Sequence, residues 1–171
     1  MDAVLNDSNE FCQKNQNRKG KVRVVDLARL SAVCASQSGE LVWTVEGKIN
    51  SSGYRRFDLT VKGGISLTCQ RCMEAFSFDL DSRAFVILAD NEAEADEIEG
   101  ALADDDPAEV IVWKEKTDLL VLVEDEILLA LPLSPRHEVC PDVNRPAFGE
   151  KRESPFSVLR NLKIKKEEKS E

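Results

Sequence analysis

Histidine and tyrosine each occur once in the 171 residues, and apolar runs such as Leu119–Val123 and Ile127–Leu133 are short. A membrane-spanning helix needs about 20 apolar residues, so no span is expected. The amino-terminal MDAVLNDSNEF lacks the basic-then-apolar order of a secretory signal, and the chain is expected to stay in the reducing cytoplasm. No G-x-S-x-G elbow, Walker-type loop or dinucleotide fingerprint is present, and Gly63-Gly64 alone reads as a turn. A Ser-His-Asp or Cys-His relay has one possible centre, His137, and nothing around it marks it as one. These absences argue against an enzyme and against a small-molecule substrate.

Basic residues are missing from 90–109, where ten acids stand together. That segment carries −10 of a formal net charge of −9, leaving +1 for the rest of the chain. The overall charge therefore speaks against nucleic-acid contact by the acidic segment and says little about the other faces. Cysteine is limited to five residues, an odd number in a chain large enough to build a core. No disulfide framework is implied, so Cys69 and Cys72 read as thiols or metal ligands.

What remains is an ordinary globular composition, 42% hydrophobic and 32% charged, in a single domain of a size that buries roughly 70% of its unfolded surface. Residues 1–20 read as a basic flexible arm. Leu27, Leu30 and Val33 then line one side of a short helix. From Leu41 the period changes to two: Leu41, Trp43, Val45 and Ile49 alternate with polar residues, the turn Asn50–Gly53 follows, and Phe57, Leu59 and Val61 make a second strand. Ile65, Leu67 and Cys69 predict a third strand beyond Gly63-Gly64, Phe76–Ile87 a fourth, and Val110–Trp113 a short fifth. The acidic 90–109 reads as a mobile loop. Thr117 can cap a helix over 118–131 with Leu120, Val123, Ile127 and Leu131 as its buried stripe, stopped by Pro132. A short helix and a lysine-rich tail are expected at 151–171. The fold class is α+β: an antiparallel, curled or barrel-like sheet of about five strands with the 118–131 helix packed on it and short flanking helices.

Cys69-Gln70-Arg71-Cys72 falls where the third strand turns into the fourth, and such a turn is a common platform for two thiolates on one metal ion. His137-Glu138-Val139-Cys140 supplies a second pair with the same gap. Together Cys69, Cys72, His137 and Cys140 can form a Cys₃His set for structural zinc. The bland alternative makes Cys69 a core thiol and Cys72 an incidental loop thiol, and Met73 stands where many zinc turns use glycine. A thioredoxin-like pair fits less well, because its first cysteine belongs at a helix amino terminus. Glu124-Asp125-Glu126 spread across about 200° of a helix, so all three cannot face solvent equally. Glu124 is expected at the edge of the buried stripe, needing a partner such as Arg71 or a neighbouring protein's helix, with a solvated polar stripe as the alternative. Lys163, Lys165, Lys166 and Lys169 can touch RNA phosphates or simply stay solvated.

ISLTCQRCMEAFSF (65–78), LLVLVEDEILLALP (119–132) and SPFSVLRNLK (154–163), in this order and spacing, closely resemble the bacterial YceD family of large ribosomal RNA subunit accumulation proteins. The resemblance covers residues 20–165. It implies a non-enzymatic accessory factor of large-subunit biogenesis, supporting synthesis, processing or stability of 23S ribosomal RNA, with that RNA or an assembly or ribosomal protein as partner. Cys69, Arg71, Cys72, Glu124, Asp125 and Glu126 occupy the family's motif positions, with no chemical role attached. Two rival readings are a zinc-stabilised protein-binding adaptor without direct RNA contact and a metal-dependent ribonuclease using Glu124–Glu126.

Overall fold

Alternating apolar residues draw the middle of the chain into strands. The computed structural model describes residues 3–103, 105–113 and 117–141; the helix and tail expected at 151–171 lie outside them. In chain order the elements are β1 (Val4–Leu5), α1 (Ser8–Gln13), β2 (Asn17–Arg23), a 3-10 turn (Val24–Asp26), α2 (Ala28–Val33), β3 (Glu40–Ile49), β4 (Arg55–Thr68), β5 (Ala75–Ala89), α3 (Glu92–Ala101), β6 (Ala108–Val112), β7 (Thr117–Asp118) and α4 (Leu119–Ala130). Five strands form one open sheet in the order β2-β3-β4-β5-β6, and β1 pairs with β7 as a separate ribbon.

The α+β class and the count of five strands agree with expectation, but the membership and shape differ. The sheet is mixed rather than antiparallel throughout, because β6 runs parallel to β5 after the α3 crossover, and its strand order is linear, not closed into a barrel. Residues 57–61 and 65–69, expected as two strands, belong mainly to the single β4. Gly63 carries the strand through. At φ +154°, it sits where an added Cβ would lie 2.6 Å from the Glu40 carbonyl oxygen, so only glycine lets β3 pass this closely. The fifth strand is β2, which begins inside the stretch expected as an arm.

The acidic stretch is not a loop but contains α3. Asn91 caps it by accepting from the Glu94 N–H at 3.0 Å, the Glu94 carboxylate accepts from the Asp90 N–H, and acids in the first turn suit the positive helix end. Only Ala95 and Ile98, three apart, need burying, and they pack on Ile87 and Ala89. The opposite face of the sheet carries the main core. Leu41, Trp43, Val45, Phe57, Leu59, Val61, Ile65, Leu67, Leu80 and Val86 meet Leu119, Val123 and Ile127 of α4 and Leu30 of α2. The α4 stripe starts at Leu119 rather than Leu120, and Asp118 is the cap, accepting from the Leu120 N–H at 2.9 Å. At one end α1 lies so close to β3 that a Cβ on Gly47 would meet the Phe11 ring at 2.4 Å.

Candidate metal centre

The β4–β5 hairpin ends in a tight tip. The Cys69 N–H donates to the Glu74 carbonyl at 2.9 Å and the Met73 N–H to the Cys69 carbonyl at 2.8 Å. Met73 takes φ +66°, the left-handed conformation that glycine adopts more easily. The turn therefore has the geometry that a glycine would serve, built with methionine. Across from it, α4 stops before Pro132 and the chain returns past the tip. Gln70 straps the two together: its N–H donates to the Pro135 carbonyl at 2.9 Å, and its side chain bonds the Leu133 carbonyl and the Ser134 hydroxyl.

This strap brings Cys69, Cys72, His137 and Cys140 together, with one ligand atom from each within 4.8 Å of all the others. Cys69 Sγ lies 3.7 Å from Cys140 Sγ. His137 Nδ1 lies 3.4 Å from Cys72 Sγ and 4.0 Å from Cys140 Sγ. Tetrahedral zinc with Zn–S near 2.3 Å and Zn–N near 2.0 Å needs S···S edges of about 3.8 Å and S···N edges of about 3.5 Å. The Cys69–Cys140 and Cys72–His137 separations match those edges, the Cys140–His137 separation is about 0.5 Å longer, and the sulfur–sulfur distance is far above the roughly 2.05 Å of a disulfide; all five cysteines are free. Among the described residues, this is the one set of three or more Cys, His, Asp or Glu side chains brought within such reach.

The surroundings suit thiolates. Arg71 donates through Nε to Cys140 Sγ at 2.8 Å and through Nη2 to the His137 carbonyl at 3.4 Å, countering the charge that three sulfurs bring. Burial pushes the Cys69 thiol up, but hydrogen bonds from the backbone of Cys72, His137 and Arg71 and from the His137 ring outweigh it and bring it down to about 5. For Cys72 the Glu74 backbone lowers the thiol pKa, yet burial and the neighbouring Cys69 and Cys140 sulfurs prevail and hold it above its ordinary value. The Phe76 ring, 5.0 Å from the His137 ring, supports the imidazole orientation.

A family model described as "Large ribosomal RNA subunit accumulation protein YceD" matches residues 57–163. The chain belongs to the YceD family. A Haemophilus influenzae protein named "Large ribosomal RNA subunit accumulation protein YceD" is 36% identical over 110 residues, 59% of this chain and 61% of that protein; the match spans about three fifths of the relative's length. No solved structure matches the chain. All four candidate sulfur and nitrogen ligands fall inside the YceD match.

The second motif of this YceD-family chain, Glu124–Glu126, lies apart from the first and makes three separate contacts. Glu124 is buried and its partner is Arg29, not Arg71, which serves the cysteines. Glu124 Oε1 accepts from the N–H groups of Arg29 and Leu30 at 2.8 and 3.1 Å, and Oε2 from Arg29 Nε at 3.0 Å. It thereby caps the amino end of α2, whose own cap residue, Leu27, makes no side-chain bond. Burial pushes the Glu124 carboxyl up, but these donors outweigh it and hold it below the usual range. Asp125 accepts from Arg29 Nη1 at 2.5 Å, and Glu126 meets the Ser82 hydroxyl. Sequence reasoning missed Gln70 and Arg29. Gln70 was visible as the first residue between the paired cysteines, whereas Arg29 stands 95 residues from Glu124 and carries no local signal.

Proposed function

We propose that this chain is a non-enzymatic accessory factor of large ribosomal subunit biogenesis, acting in the cytoplasm to support accumulation of 23S ribosomal RNA, with a structural zinc ion held by Cys69, Cys72, His137 and Cys140. The observation that carries the biological part is the family match over 57–163, which takes in both the cysteine tip and the Glu124 seam. Three thiols and one imidazole at tetrahedral spacing support zinc over magnesium or calcium, which take oxygen ligands. Bound zinc supplies a cross-link between the hairpin tip and the segment after α4, closed by four protein ligands and so structural in kind. Among the described residues no helix is long and apolar enough to cross a membrane, as fits a factor working on ribosomal RNA.

A ribonuclease would need acids gathered around a divalent ion, whereas Glu124, Asp125 and Glu126 are engaged with α2, Arg29 and Ser82. The adaptor reading has one specific observation in its favour: Val33, Met73 and Leu133 border one groove, with Met73 73% and Leu133 101% exposed, an apolar surface of a kind that proteins bind. The experiment is removal of the gene followed by quantification of 23S against 16S ribosomal RNA. Loss of the 23S signal, restored by the wild-type chain and not by Cys69→Ser, is the expected result. An unchanged ratio would refute the biological role.

A further inference from the structure

We propose that the open cleft beside the cysteine cluster is a stacking platform for a short unpaired stretch of RNA, an inference that rests on the ribosomal reading above. Phe76 and Phe78 are two apart on β5, so their side chains leave the same face of the strand about 6.6 Å from one another. Both are half-buried: each packs on the end of the main core and also lines the cleft. The His137 ring, beside Phe76, extends the aromatic surface to a third ring. Arg136 is exposed on the far wall, with Glu138 beside it and Asp79 on the near wall.

These groups fit one kind of partner. Aromatic faces take unstacked bases without regard to sequence, which a duplex cannot offer. The Arg136 guanidinium suits a phosphate, and the two carboxylates accept from ribose 2′-hydroxyls or from exocyclic amines of bases. The charges along the cleft nearly cancel, in a chain of net charge −9. Stacking rather than ion pairing therefore carries the affinity, and the footprint is short. Because His137 and Arg136 are adjacent in the returning segment, the zinc cross-link holds one wall of the platform at its distance from the other.

The test uses the full chain with its metal, a fluorescent unstructured RNA oligonucleotide and the matching duplex. The expected result is preference for the single strand, with a salt slope of about −0.7 per phosphate and no more than about two phosphates engaged. Phe78→Leu, which keeps apolar bulk, is expected to weaken binding about tenfold, while Phe78→Tyr, which keeps the ring, leaves it unchanged. Undiminished binding by a folded Phe78→Leu variant, preference for the duplex, or no binding by the wild-type chain would each overturn the platform. Cells separate this from the broader role: 23S lost on gene removal but fully restored by Phe78→Leu sinks the platform alone, as does a variant defective in cells yet normal on RNA, which points to a protein partner. An unchanged 23S level on gene removal sinks the ribosomal reading itself.

Discussion

The β4–β5 hairpin has two ends that are held by different chemistry. At one end Phe57 is sealed between Phe11 and Trp113, with ring centroids at 5.6 and 5.1 Å in edge-to-face contact. At the other, Phe76 and Phe78 stay half-buried, and the chain is held by Gln70, Arg71 and a ring of sulfur and nitrogen atoms. Burial of apolar area is non-directional and works without help. A cluster of three thiols and an imidazole gains its strength from an ion. On the proposed zinc reading, the sheet stands without the tip, while the tip depends on both the sheet and a bound ion.

The contrast can be broken most forcefully at the sealed end. Phe57→Ala is expected to cost about 3–5 kcal/mol in chemical denaturation, with the zinc content of the remaining folded protein unchanged. Next in size is the α2–α4 seam: Glu124→Ala leaves two backbone donors and Arg29 unmatched and is expected to cost about 2–3 kcal/mol in the same measurement. The depressed Glu124 carboxyl also predicts a pH signature. The unfolded group binds its proton more readily, so its contribution is complete above the ordinary value of 4.5 and is lost as pH falls through the lower folded value. Asp58 acts in the same direction: burial pushes it up, but Arg56 and Lys48 outweigh this and depress it. Melting temperature followed downward from pH 5 is therefore expected to fall less steeply in Glu124→Gln than in the wild type.

Cys140→Ser has a smaller global effect, about 1–2 kcal/mol for a loosened strap, but a local one that hydrogen exchange can read. Protection is expected to vanish at 69–74 and 132–140 and to persist through β3 and β4. Met73→Gly is the smallest, a gain of up to about 1 kcal/mol from relief of the left-handed turn, with zinc content unaffected.

Much of this was legible in the residues. The alternation in β3 and β4, the stripe of α4 and the His137–Cys140 pair each follow a local period or spacing. β2 was hidden because it is an edge strand whose one core residue is Val22 amid Arg18, Lys19, Lys21 and Arg23, a charge pattern typical of protected edges. α3 was hidden because its acids dominate the composition, although the Asn91 cap and the Ala95–Ile98 pair were there to read. Pairing direction leaves no periodic trace, so the parallel β6 could not be foreseen. The same holds for Arg29 as the partner of Glu124: the polar break in an apolar helix was visible, and the residue that answers it was set by the packing of α2 on α4.

Metal analysis of the purified, reduced protein tests the central claim most directly. One equivalent of zinc per chain, reduced to background in Cys69→Ser and in Cys140→Ser while the far-ultraviolet circular dichroism of the sheet is retained, is the predicted result. A wild-type chain without zinc when purified from zinc-replete cells, or variants that keep the full equivalent, would contradict it.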